Sequence, residues 1–140
     1  PREPLHLVIV AAQFGLSTPS VFKQLDAGRA SGLYPASGEL VEPAELLEAL
    51  KSYDGSEAAL ASLAPLLRND LQAPALSCAP QLEQTLNLRD SEGVYASLVS
   101  GSGPTVLLLA SSQNRAEALA ASLRATGHHA VSAVTVILYH

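Results

Sequence analysis

Residues 96–110, ASLVSGSGPTVLLLA, set Gly101, Ser102, Gly103 and Pro104 between two apolar runs of strand length. The two glycines offer the positive φ angles that a tight reversal demands. Any other residue held in that conformation costs roughly 1–2 kcal/mol. A hairpin at this point makes 93–100 and 105–110 sequential antiparallel neighbours, and every other element must be arranged around that pair. The stretch is not a Walker A loop, because Gly-x-x-x-x-Gly-Lys-Ser/Thr is absent and a strand follows it instead of a helix. Two uses remain open from the residues alone: a plain turn, or a nest of backbone N–H groups that lets an anion come close.

Only two other segments carry strand character. Residues 5–12, LHLVIVAA, form a nearly continuous apolar run, and 129–139, HAVSAVTVILY, is rich in branched residues. Between 5–12 and the hairpin the chain is punctuated for helices. Thr18 reads as an N-cap with Pro19 at the first helical position, Val21 and Leu25 share a face, and Gly28 or Gly32 ends the segment. A loop is expected over 32–42. Helix resumes at PAELLEALKS with Leu46, Leu47 and Leu50 on one stripe, and continues in EAALASLAPLL until Pro65 bends or breaks it. Pro80 opens a further helix. Between the hairpin and the last strand lies one helix, with Asn114 as cap, Ala116, Leu119, Ala120 and Leu123 inward, and Gly127 as terminator. The order predicts an α+β, ferredoxin-like split βαβ fold: a four-stranded, mostly antiparallel sheet with helices on one face and extra helices inserted.

Composition narrows the function classes. The chain has 140 residues, 48% of them hydrophobic, with neither Met nor Trp, so its core is built from Leu, Val, Ala and Ile. The formal charge of −5 and the presence of only two lysines leave no basic stripe for a phosphate backbone, which excludes nucleic-acid binding. No apolar run approaches the roughly 20 residues of a membrane span, so the chain reads as soluble and cytoplasmic with no membrane partner. Cys78 alone makes no internal disulfide and reads as a small buried hydrophobe. The four histidines show no metal-ligand spacing, and no metal site is expected.

LVSGSGPTVLLLA resembles the third conserved motif of the GHMP kinases. FGLSTPSVFKQLD, LLRNDLQAPALSCAPQLEQTL and LVSGSGPTVLLLA, in that order, most resemble the branch of the family that acts on 4-diphosphocytidyl-2-C-methyl-D-erythritol. The resemblance covers about residues 5–138. It implies an ATP- and Mg²⁺-dependent kinase of the non-mevalonate isoprenoid pathway, which phosphorylates a hydroxyl of a cytidine diphosphate-linked substrate. The family's ATP-phosphate loop and catalytic residues belong to an N-terminal domain, and no such loop occurs here. Residues 1–140 are therefore expected to be the C-terminal domain, partnered by an N-terminal ATP-binding domain of the same polypeptide. No catalytic residue is expected in this chain, which alone should be inactive and bind no cofactor.

The resemblance also implies site residues. Phe22 occupies the position whose aromatic stacks on cytosine, although Phe22 beside Leu25 also reads as ordinary core. Thr18 is a helix cap that would line the substrate cleft, and Gly101, Ser102 and Gly103 would form one wall of it. Lys23 and Arg29 could attract a diphosphate, or be solvated surface charge. Asn69 and Asp70 read as caps of the following helix. His128 and His129 face opposite ways, so at most one could enter a site. Two other readings stay open: a stand-alone ferredoxin-like module that binds a regulatory small molecule, and the C-terminal domain of a homoserine- or mevalonate-type GHMP kinase.

Overall fold

A computed structural model describes residues 4–11, 18–32, 43–67, 69, 72–100, 105–128 and 130–137. The expected glycine connection 101–104 and the loop over 33–42 lie outside the described residues.

Four strands, β1 (Pro4–Ala11), β2 (Val94–Ser100), β3 (Thr105–Ala110) and β4 (Ala130–Ile137), form one sheet in the order β2-β3-β1-β4. Every neighbouring pair is antiparallel. Hairpin β2–β3 lies between two crossovers, and each crossover joins strands that run the same way. This is the expected split βαβ plan.

In the first crossover α1 (Thr18–Ala30) is followed by α2 (Pro43–Lys51), α3 (Glu57–Leu63), α4 (Gln72–Cys78) and α5 (Leu82–Leu86). The second is the single helix α6 (Gln113–Ala125). Pro65 ends α3 as expected: the chain tightens into a 3₁₀ turn over Ala64–Leu66, because proline has no N–H for the α-helical ladder.

Side chains alternate across the sheet. Val8, Val10, Val106, Leu108, Ala110, Val99 and Val131 face one side, where they meet Val21 of α1, Ala75 of α4, Leu82 and Leu86 of α5, and Ala116, Ala120 and Leu123 of α6. Leu5, Leu109 and Ala96 face the other side, covered by Leu60 and Leu63 of α3 and by Leu46, Ala49 and Leu50 of α2. The helices of the split βαβ plan thus share one face, and the inserted α2 and α3 cover part of the opposite one. A β-bulge sends Val94 and Ala96 of β2, two residues apart, into different cores. Val94 pairs with Ala110 and Ala96 with Leu109, so Tyr95 is an extra residue and the alternation restarts beyond it.

Three local expectations need correction. Leu47 is 56% exposed, because the apolar stripe of α2 runs through Leu46, Ala49 and Leu50 at i, i+3 and i+4. The cap of α6 is Ser112, whose hydroxyl accepts from the Arg115 N–H at 3.1 Å, so Asn114 lies inside the helix. Cys78 is exposed, since α4 turns Pro74 and Ala75 inward instead. The stop of α6 is as expected: Gly127 has φ +103, its N–H bonds to Arg124, and the next N–H, from His128, reaches back to Leu123 at 3.0 Å. His128 is thereby part of a helix terminator, while His129 lies outside the described residues.

Candidate functional site

The register of the sheet brings distant parts of the sequence to one end of it. Ser100 pairs with Thr105, Thr105 with Ala11, and Ala11 with Ala130. The glycine stretch therefore departs from, and returns to, the same sheet end at which β1 finishes. From there six residues lead to Thr18, where α1 begins. FGLSTP and SGSGP, which begin at residues 14 and 100 of the sequence, are thus attached to adjacent strand ends.

The side chains of helix α1 divide between the core and solvent. Val21 and Leu25 are buried in the core, at 0% and 6% exposure. Each residue turns the helix by about 100°, so the residue after Val21 swings outward. Phe22 is 48% exposed, which removes the reading of its ring as ordinary core. Lys23 beside it is exposed, and Arg29 in the last turn is half-buried. Thr18 is the first residue of α1 and Pro19 the second, one position further into the helix than expected; a proline in the first turn removes no ladder bond. The side chain of Thr18 lies outside the described residues, as do Gly101, Ser102 and Gly103.

A feature that sequence reasoning missed lies at the same end. Asn69 donates its side-chain amide to the Val99 carbonyl at 2.6 Å, and the Val99 N–H donates to Gln72 Oε1 at 3.0 Å. The backbone carbonyl of Asn69 accepts the Gln72 N–H at 3.0 Å, which places it at the start of α4, while the side-chain bond described above runs to β2 instead of to the helix. Asp70 lies outside the described residues. No local signal points to Val99 as the partner, because the contact spans 30 residues of sequence.

Among the described residues no three or more His, Cys, Asp or Glu come together as a metal site. The described residues therefore offer no carboxylate group that fits a resident Mg²⁺. The carboxyl of Asp54 is held below its ordinary value by the Ser56 hydroxyl and then by the Ser56 N–H, but it belongs to the α2–α3 turn. Those helices pack on Leu5, Ala96 and Leu109, away from the Ser100–Thr105–Ala11 end. A groove lined by Ala61, Pro65, Arg89 and Tyr95 likewise lies at the other end of β2.

The family described as GHMP kinases C terminal matches residues 46–129, more than half of the chain. The chain belongs to the GHMP kinase family. Among curated GHMP kinase relatives, the 4-diphosphocytidyl-2-C-methyl-D-erythritol kinase of Nocardia farcinica (strain IFM 10152) is 46% identical over 126 residues, which cover 90% of this chain and 38% of the relative. The chain thus spans well under half the length of that protein. The crystal structure of a 4-(cytidine 5'-diphospho)-2C-methyl-D-erythritol kinase matches 98% of this chain and 44% of its own, with TM-score 0.70 and 27% identity. The L. major mevalonate kinase in complex with R-mevalonate matches 96% of this chain and 43% of its own, with TM-score 0.59 at 19% identity, which shows a shared fold alone.

Proposed function

We propose that this chain is the C-terminal, substrate-binding part of a kinase that transfers the γ-phosphate of ATP to a hydroxyl of 4-diphosphocytidyl-2-C-methyl-D-erythritol. The observation that carries this reading is the extent of the 46% identity, which runs over 90% of the chain and is not confined to the glycine motif. The 19% identity to the mevalonate kinase gives the corresponding substrate no such support. No helix of the described residues is long and apolar enough to cross a membrane, in keeping with a cytoplasmic enzyme acting on a water-soluble nucleotide.

Phosphoryl transfer asks a protein mainly to position the reactants and stabilise charge. In this reading the exposed ring of Phe22 stacks on cytosine, an interaction worth about 1–3 kcal/mol. Lys23, on the same exposed side of α1, attracts the diphosphate. Thr18 lines the cleft, and Gly101, Ser102 and Gly103 form a wall with no side-chain bulk beyond one hydroxyl. ATP and Mg²⁺ are held by an N-terminal domain of the same polypeptide, and they supply the phosphoryl group and its charge neutralisation.

The test is phosphorylation by the protein expressed from the complete reading frame, with ATP and Mg²⁺, offered the cytidine diphosphate substrate, mevalonate or homoserine in parallel. Turnover of the first alone is expected, and no turnover by residues 1–140 by themselves. Preference for mevalonate or homoserine would overturn the substrate assignment. Turnover by the isolated chain would overturn the division of labour between domains.

A further inference from the structure

We infer that Asn69 and Gln72 are positioning residues for this reaction: together they hold β2 at Val99, two residues before the glycine stretch begins. The inference rests on the functional reading above, in which that stretch is one wall of the substrate cleft.

β2 is an edge strand, so only one of its sides is paired with another strand. At Val99 the N–H and the C=O are both met by side-chain amides, at 3.0 Å and 2.6 Å, as a neighbouring strand would meet them. The polarity is forced. Of the two ends of an amide side chain only the NH2 can donate to a carbonyl, so Asn69 presents its Nδ2, and only the C=O can accept from an N–H, so Gln72 presents its Oε1. The two amides keep a set spacing because they sit on one turn, where the Gln72 N–H bonds to the Asn69 carbonyl at 3.0 Å. That turn is anchored in turn by Pro74 and Ala75 of α4, both buried.

Packing alone does not need this arrangement. The Val99 side chain is already fully buried, and Ser100 is already paired with Thr105. What the two amides add is a lateral stop on the unpaired side of the strand, at the end from which the glycine stretch departs. A misplacement of about 1 Å at a substrate-positioning element can cost about 100-fold in rate.

The opposite polarities give a test that a general loss of stability does not mimic. In the protein from the complete reading frame, Gln72→Glu keeps an acceptor for the Val99 N–H, while Asn69→Asp sets a carboxylate oxygen against the Val99 carbonyl. Gln72→Glu is expected to keep kcat within about twofold, whereas Asn69→Asp and Gln72→Ala lower it about 10- to 100-fold. KM should change less, and Tm should fall by only a few degrees. Amide exchange at Val99 should quicken in Gln72→Ala and not in Gln72→Glu. If Asn69→Asp and Gln72→Glu behave alike, or if kcat falls only in step with the folded fraction, the positioning role is overturned. Should Asn69→Asp fail to fold, Gln72→Ala decides alone: full activity despite quickened exchange at Val99 refutes the role. A wild-type protein inactive on the cytidine substrate would instead overturn the functional reading, with the exchange data still reporting on the clamp itself.

Discussion

The two crossovers of this domain solve the same topological problem with different means. From β3 to β4 the chain uses one helix with complete local punctuation, a Ser112 cap and a Gly127 stop, and lays Ala116, Ala120 and Leu123 onto the sheet. From β1 to β2 it uses five helices, three of them no longer than seven residues, interrupted by Pro65 and Pro80. Isolated helices that short are marginal in water, so the first crossover depends on tertiary packing for its shape. In return it projects side chains that the second does not, with Phe22 toward solvent and Asn69 and Gln72 toward the edge of the sheet. A crossover that only closes a sheet can be minimal, whereas one that also presents side chains to solvent and to a strand edge needs surfaces facing more than one way.

The contrast breaks most severely at Leu86. This side chain of α5 is fully buried in the core shared by both crossovers, so Leu86→Ala should cost about 2–5 kcal/mol in denaturant unfolding. A smaller loss would mean that the short helices pack loosely. Phe22→Ala separates packing from function: with the ring 48% exposed, stability should change by less than about 0.5 kcal/mol. Cytidine-nucleotide affinity, read by calorimetry on the full-length protein, should fall by about 1–3 kcal/mol. A large stability loss with unchanged affinity would return Phe22 to the core.

In the second crossover Ser112→Ala removes the acceptor for the Arg115 N–H and should lower stability by about 1 kcal/mol, with kcat and KM unchanged. An effect on kinetics would show that α6 contributes to more than closure. The smallest effect belongs to the α2–α3 turn. Asp54 is fully exposed, and its carboxyl lies below the ordinary value of 3.8, chiefly through the Ser56 hydroxyl. Its contribution is present above that ordinary value and lost as pH falls through the lower folded-state value. Asp54→Asn should therefore be slightly less stable than wild type at neutral pH, and the difference should vanish in acid. A pH-independent difference would assign the effect to packing.

Much of the fold is legible in the sequence because its signals are local. The strand at 105–110, the Pro65 break and the Gly127 stop follow from backbone preferences of the residues themselves. Ser112 and Asn114, two residues apart, are equally good capping types, and only the fold of the preceding strand end selects Ser112 as the cap of α6. For the candidate site the sequence supplied Thr18, Phe22 and Gly101–Gly103 through a resemblance, and gave no hint of Gln72. An amide side chain that serves the edge of a strand 27 residues later carries no periodic signature.

By itself, then, the sequence determined the order of the elements, the hairpin at their centre and the apolar stripes they must bury, since φ/ψ preference and hydrophobic period are written residue by residue. Only the tertiary structure decided that Phe22 turns outward while Val21 turns in, that α2 and α3 cover the opposite face, and that Ser100, Thr105, Ala11 and Ala130 stand in one row. Those outcomes depend on strand register, which is settled by the simultaneous packing of side chains far apart in the chain.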